Sequence, residues 1–124
     1  MTTATISKEF AFSASHQLTG LHEDHPCSRL HGHNYIIKVT ITGEVVTPGF
    51  VIDYRELGWF KTYLDEQLDH RHLNDVIPGM NPTAENIAEF LLGIVQAILT
   101  DSPNVSGLAV SVSETPKTWA TVTA

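Results

Sequence analysis

Residues 5–16 alternate between apolar and polar positions, and Phe10, Phe12, Ala14 and His16 share one face. A period of two over that length predicts a strand buried on one side. The chain then turns polar: residues 17–30 are rich in His, Asp and Pro and read as a long loop. Alternation resumes over 31–46, with Tyr35, Ile37, Val39 and Ile41 on one face and Lys38, Thr40 and Thr42 on the other. Thr47-Pro48-Gly49 is a turn signal, and Phe50-Val51-Ile52 is expected to pair back and close a hairpin. Beyond it the period changes. Asp53 followed by Glu56 has the form of a capping box, with Asp in the place of Ser or Thr. The helix it opens carries Leu57, Phe60, Leu64 and Leu68 along one stripe. Pro78, Gly79 and Pro82 mark a loop, after which Thr83 is the expected N-cap of a second helix. That helix turns Ile87, Phe90, Leu91, Ile94 and Ile98 inward. Gly107 precedes a strand with Leu108, Val110, Val112 and Glu114 on one face, and 118–123 reads as a short closing strand.

The order β-β-β-α-α-β(-β) predicts an α+β fold, an antiparallel sheet with two consecutive helices on one face. Consecutive helices exclude a doubly wound parallel sheet, in which helices alternate with strands. The 124 residues suffice for one domain spanning 1–124 with a core of its own. Apolar residues make up 42% and are spread along the chain, as in a globular protein. No apolar run approaches the roughly 18 residues of a membrane span. The opening MTTATISKEF lacks the basic stretch and apolar core of a secretory signal, so the expected compartment is the cytoplasm. The formal charge of −7 excludes the basic footprint of a nucleic-acid binder. Seven histidines stand out in so short a chain, as does the single cysteine.

His31 and His33 are two apart, so on a strand both side chains point the same way, with the parity of Tyr35, Ile37 and Val39. His16 has the parity of Phe10, Phe12 and Ala14. If the two strands are neighbours, three imidazoles converge at one end of the apolar face. Three neutral nitrogens suit zinc and leave a fourth position open, the pattern of a catalytic site; Cys27 as a fourth ligand would make the site structural instead. Cys27 lies in a polar loop four residues before His31. Its thiol is either a base or nucleophile beside the metal or a small buried hydrophobe, and the polar setting His25-Pro26-Cys27-Ser28-Arg29 favours chemistry. Asp69-His70 reads equally as a proton-transfer pair and as a helix end whose His70, Arg71 and His72 answer the helix dipole. Glu114 continues an inward parity, so its carboxylate needs a partner, either an Arg or Lys or an amidine-like donor pair on a ligand. His22, Glu23, Asp24, His25 and His72 read as solvated residues, and Trp59, Phe60 and Tyr63 as core or interface.

Five segments in order carry a resemblance over residues 6–119. They are Phe12-Ser13-Ala14-Ser15-His16, Cys27-Ser28-Arg29-Leu30-His31-Gly32-His33-Asn34-Tyr35, Leu68-Asp69-His70-Arg71-His72-Leu73-Asn74, Asn81-Pro82-Thr83-Ala84-Glu85-Asn86 and Ser113-Glu114-Thr115-Pro116. Together they resemble the 6-pyruvoyl-tetrahydropterin synthase family, and the short gap between Cys27 and His31 resembles its bacterial 6-carboxy-tetrahydropterin branch of the queuosine pathway. The resemblance implies Zn²⁺ on His16, His31 and His33, Cys27 as general base, and Asp69 with His70 as a second proton-transfer pair. It implies that Glu114 anchors the pterin ring, whose 2-amino and N3–H groups form the donor pair, helped by Thr83 and the backbone near Ala84. The implied fold is the tunnelling fold, a homo-oligomer (trimer or hexamer) whose sheets join into a barrel, with active sites between subunits.

The implied reaction converts 7,8-dihydroneopterin triphosphate to 6-carboxy-5,6,7,8-tetrahydropterin, releasing acetaldehyde and triphosphate. The alternatives are a pyruvoyl-type synthase that eliminates triphosphate alone, and a zinc-stabilised pterin-binding protein in which Cys27 and Asp69-His70 are incidental. A net charge of −7 repels a triphosphate at long range, so local cations must steer it, with Arg29, Arg71 and Lys8 as candidates.

Overall fold

The computed structural model describes residues 1–77 and 79–124; Pro78, one of the loop signals, lies outside the described residues. Among them five strands form one sheet: β1 (Thr3–His16), β2 (His31–Glu44), β3 (Arg71–His72), β4 (Val105–Ser113) and β5 (Ala120–Thr123), in the order β3-β1-β2-β4-β5. The alternating segments pair as their patterns require. β1 and β2 run antiparallel along their whole length, from Thr3 opposite Glu44 to His16 opposite His31. β4 adds to β2, and β5 to β4, also antiparallel.

Two expectations about the sheet are corrected. It is mixed rather than antiparallel, because β3 runs parallel to β1 at Ala14 and Ser15. The chain can turn alongside β1 there because His70 adopts a left-handed backbone (φ 59°) and its N–H donates to Ser13 C=O at 2.6 Å. The expected strand at Phe50-Val51-Ile52 reduces to a single bridge between Val46 and Phe50. Val51 and Ile52 instead enter the core, and Asn104 Nδ2 donates to the carbonyls of Val51 and Glu44 (2.8 Å each), satisfying backbone that a strand would have paired. Gly107 lies within β4, not at its start.

The first helical segment begins as a 3-10 turn (Tyr54–Leu57), continues as α1 (Gly58–Tyr63) and closes with a π-helical turn (Leu64–Leu68). Asp53 caps it, but Arg55 rather than Glu56 is its partner. Asp53 Oδ1 accepts from the Arg55 N–H at 2.9 Å, and Oδ2 from the guanidinium at 2.8 and 3.0 Å. Leu57, Phe60, Leu64 and Leu68 are all buried, as their spacing predicts. A short α2 (Leu73–Val76) stands where the sequence read as loop. α3 (Ala84–Ile98) is capped by the Thr83 hydroxyl, which accepts from Asn86 N–H at 3.1 Å.

The buried face of α3 is wider than the expected stripe: Ile87, Ala88, Leu91, Leu92 and Val95 are buried, and Phe90, Ile94 and Ile98 are partly buried against the same core. Phe90, at the edge of that face, also meets Tyr63 of α1, with ring centroids 6.4 Å apart. The helices cover one face of the sheet, where Phe10 meets Phe60 edge-on (5.1 Å) and Phe12 stacks on Tyr35 (5.0 Å). The uncovered face is polar, with Thr5 and Thr42 hydroxyls 2.7 Å apart and Ser13 bonded to Asn34. Between Thr3 and Phe12, β1 pairs only with β2 among the described residues, and β5 pairs only with β4, so two sheet edges are open. No described helix is long and apolar enough to cross a membrane.

Candidate metal centre and adjoining clefts

Strand parity places His16, His31 and His33 at one end of the covered face, with ring centroids 4.5 to 5.0 Å apart. One nitrogen of each ring lies within 4.8 Å of the other two. Two of the outer nitrogens are committed: His16 Nδ1–H donates to Pro82 C=O and His31 Nδ1–H to Arg29 C=O, each at 2.7 Å. A neutral imidazole that donates from Nδ1 presents a lone pair at Nε2. The Nε2 atoms of His16 and His31 therefore turn lone pairs on one another at 2.9 Å, and His33 Nε2 is buried without a hydrogen-bond partner. Burial holds His16 below the ordinary imidazole pKa, against the raising effect of the Pro82 bond, and burial followed by the nearby His31 does the same for His33.

One buried and two half-buried imidazoles whose free nitrogens converge fit a cation placed among them. The carbonyls behind His16 and His31 are the supports that metal-binding imidazoles use. The three histidines are thus arranged to hold a metal ion. Cys27 is not among the converging donors, which removes the closed four-ligand site. Tyr35, read from the sequence only as a core residue, puts its hydroxyl 3.2 Å from His16 Nδ1; burial, then Glu114, raises its pKa.

Glu114 follows directly on β4, and its Oε2 lies 3.9 Å from His33 Nε2. It faces a cleft of ≈ 300 Å³ shared with Ala84, Glu85, Val112, Trp119 and Ala120. Burial raises the Glu114 pKa; His31 and a bond from the Ala84 backbone oppose this, and Glu85 adds to it. No Arg or Lys pairs with Glu114 among the described residues, so of its two expected partners the structural cation is missing. Thr83 is not part of this cleft: its hydroxyl is used as the helix cap. Glu85 escaped the sequence reading, although its place in the first turn of α3 was a signal.

Asp69 and His70 do form a pair: Asp69 Oδ2 accepts from His70 Nδ1–H at 2.8 Å, and Oδ1 from Ser13 N–H at 2.9 Å. Those bonds, the Ser13 one foremost, hold the Asp69 carboxyl below its ordinary pKa. The His70 ring is 82% exposed and stands over a ≈ 470 Å³ hollow with Ser13, Ser15, Asn34, Arg71 and His72, which His33 also lines. The pair therefore adjoins the histidine cluster without joining it. His72, read as solvated, is half-buried and bonded to Ser15 Oγ at 3.0 Å. Cys27 sits half-buried in a 3-10 turn (Pro26–Ser28), where His25 Nδ1 accepts its N–H at 3.1 Å. Of the cations, Arg71 donates to Glu66 C=O (3.0 Å) and Lys8 lies 5.6 Å above the Phe10 ring.

A family model described as 6-pyruvoyl tetrahydropterin synthase matches residues 5–124. A protein of Synechocystis sp. named 6-carboxy-5,6,7,8-tetrahydropterin synthase is 37% identical over 95 residues, covering 69% of this chain and 70% of that one. One of the same name from Rickettsia bellii is 28% identical over 138 residues, covering 94% and 97%. The structure of Caenorhabditis elegans 6-pyruvoyl tetrahydropterin synthase superposes with a TM-score of 0.86 at 28% identity, over 100% of this chain and 97% of that one. The chain belongs to the 6-pyruvoyl tetrahydropterin synthase family of enzymes.

Proposed function

We propose that this chain is a zinc-dependent 6-carboxy-tetrahydropterin synthase. It takes 7,8-dihydroneopterin triphosphate and water to 6-carboxy-5,6,7,8-tetrahydropterin, acetaldehyde and triphosphate. The observation that carries the reading is the convergence of three imidazole nitrogens, that of His33 without a partner, beside a carboxylate-bearing cleft. The names of the Synechocystis and Rickettsia relatives favour the carboxy product.

His16, His31 and His33 would hold the zinc. When bound, it supplies Lewis acidity that makes neighbouring C–H and O–H protons easier to remove. Glu114 accepts the 2-amino and N3–H groups of the pterin as a bidentate pair. Thr83 contributes through the cap that sets the start of α3, and the Ala84 backbone lines the same cleft. The Cys27 thiolate removes a side-chain proton, and the Asp69–His70 pair returns one, so that unsaturation passes from the ring into the side chain. The exposed His70 ring and the open edges of β1 and β5 support a homo-oligomer in which this pair serves the Cys27 and histidines of a neighbouring copy.

Incubation of the zinc-loaded protein with dihydroneopterin triphosphate, followed by mass analysis, tests the reading. Carboxy-tetrahydropterin with one equivalent of acetaldehyde is expected. Triphosphate loss with an intact side chain assigns the pyruvoyl reaction instead, and a bound but unaltered pterin leaves only a binding protein.

A further inference from the structure

Residues 17–19 follow β1 directly, but no strand pairs with them among the described residues. Their backbone is satisfied one residue at a time. Asn74 Oδ1 accepts the Gln17 N–H at 2.9 Å, while its Nδ2 donates to the Gln17 carbonyl at 2.7 Å. Asn81 repeats the arrangement on Thr19, accepting the N–H and donating to the carbonyl at 2.9 Å each. Leu18 N–H donates to the Cys27 carbonyl at 2.9 Å. In extended backbone the polar groups of residues i and i+2 face one side and those of i+1 the other. The two asparagine amides, each carrying a donor and an acceptor, therefore replace a neighbouring strand on one side, and Cys27 occupies the other.

This clamp reaches the histidine cluster from both ends. Gln17 directly follows His16, and Asn81 directly precedes Pro82, whose carbonyl accepts His16 Nδ1–H at 2.7 Å. The Asn81 carbonyl in turn accepts from Thr83 N–H at 2.8 Å and Asn86 Nδ2 at 2.9 Å, which ties it to the first turn of α3. His16, Thr19, Asn81 and Pro82 thus lie on one closed circuit of covalent and hydrogen bonds. We infer that Asn74 and Asn81 are positioning residues for the metal cluster: by gripping Gln17 and Thr19 they hold the Pro82 carbonyl against His16 and so aim His16 Nε2 at His31 and His33. The inference rests on the metal reading proposed above. Support of this kind behind a ligating imidazole changes metal affinity about 10–100-fold when lost.

The rival view, that these asparagines merely fasten loops, has a control within the same molecule. Asn104 also fastens backbone with its side-chain amide, its Nδ2 donating to both the Glu44 and the Val51 carbonyl, at the opposite end of the sheet from the histidines. Zinc affinity of the full chain is measured by competition with a chromogenic chelator, and thermal unfolding of the metal-free protein is followed alongside. Asn81→Ala is expected to weaken zinc about 10–100-fold and to alter the visible spectrum of the Co²⁺-substituted protein. Asn74→Ala should act in the same direction, and Asn104→Ala should lower Tm while leaving zinc affinity unchanged. A folded Asn81→Ala protein with wild-type affinity and Co²⁺ spectrum overturns the inference, as does equal weakening in Asn104→Ala. Should Asn81→Ala not fold, Asn81→Ser carries the test, because its short uncharged hydroxyl cannot grip both the N–H and the carbonyl of Thr19; wild-type zinc affinity there is equally fatal. An unsubstituted protein that binds no zinc overturns the metal reading itself, and is seen before any variant is compared.

Discussion

Where β2 ends, the covered face of the sheet closes on Ile41, Leu108 and Val51, and Asn104 satisfies the last backbone carbonyls. Where β2 begins, the same face closes on three imidazoles, a tyrosine hydroxyl and a carboxylate, of which His33 Nε2 has no partner at all. Both ends use asparagine amides in place of a missing strand. Among the described residues only one end leaves a buried side-chain polar atom unsatisfied. Protein interiors pair their buried polar groups almost without exception, so the one exception, set among converging imidazoles, marks where something else is meant to bind.

Substitutions at the two ends should therefore fail in different ways. His33→Ala removes a direct donor, and is expected to lower zinc affinity and turnover by more than the ~100-fold that a lost supporting contact costs. Metal analysis and product formation on the same preparation would show it, and a variant that kept both would end the metal assignment. Ile41→Ala, at the opposite end, empties a fully buried site and should cost about 2–5 kcal/mol in urea unfolding. Its zinc affinity should stay at the wild-type value; a parallel loss would mean that the two ends are not independent.

The smallest effect concerns Asp69. Its folded carboxyl titrates below the ordinary value of 3.8, held there by Ser13 N–H and then by His70. The stability it contributes is therefore present above pH 3.8 and disappears as the pH falls through the lowered value. Asp69→Asn should lower the neutral plateau of a stability–pH profile and flatten its acid limb, so that the two proteins converge at the acid end. Urea midpoints taken at successive acid pH values test this, and identical acid slopes in the two proteins would refute it.

The parts of the fold that obey a simple period were legible in the sequence. Phe10, Phe12 and Ala14 on β1, Tyr35 through Ile41 on β2, and Leu57 through Leu68 on the first helical segment are buried as their spacing requires. The histidine cluster was legible for the same reason, because parity and an in-register strand pair bring His16 opposite His31. What was not legible depends on contacts between segments far apart in the chain. The two-residue β3 is created by the left-handed His70 and its bond to Ser13, which no local pattern encodes. The widening of the buried face of α3 to Ala88, Leu92 and Val95 depends on what packs against it, and the Val51 carbonyl, which a strand would have paired, is taken by Asn104. The clamps made by Asn74 and Asn81 were equally hidden, since an asparagine in a loop ordinarily signals a turn.

The backbone at His70 makes the Asp69–His70 pair more than two side chains. Histidine is one of the few non-glycine residues that visit the left-handed region with any frequency, and holding it there costs about 1 kcal/mol or more. The same φ that carries this cost swings the imidazole back onto its neighbouring carboxylate and lays Arg71 and His72 along β1. A designer who transplanted the two residues into another scaffold on a helix or a regular strand would obtain both groups and lose their geometry. The transferable unit is the turn with its docking edge, from the π-helical exit through His72, and the pair comes with it.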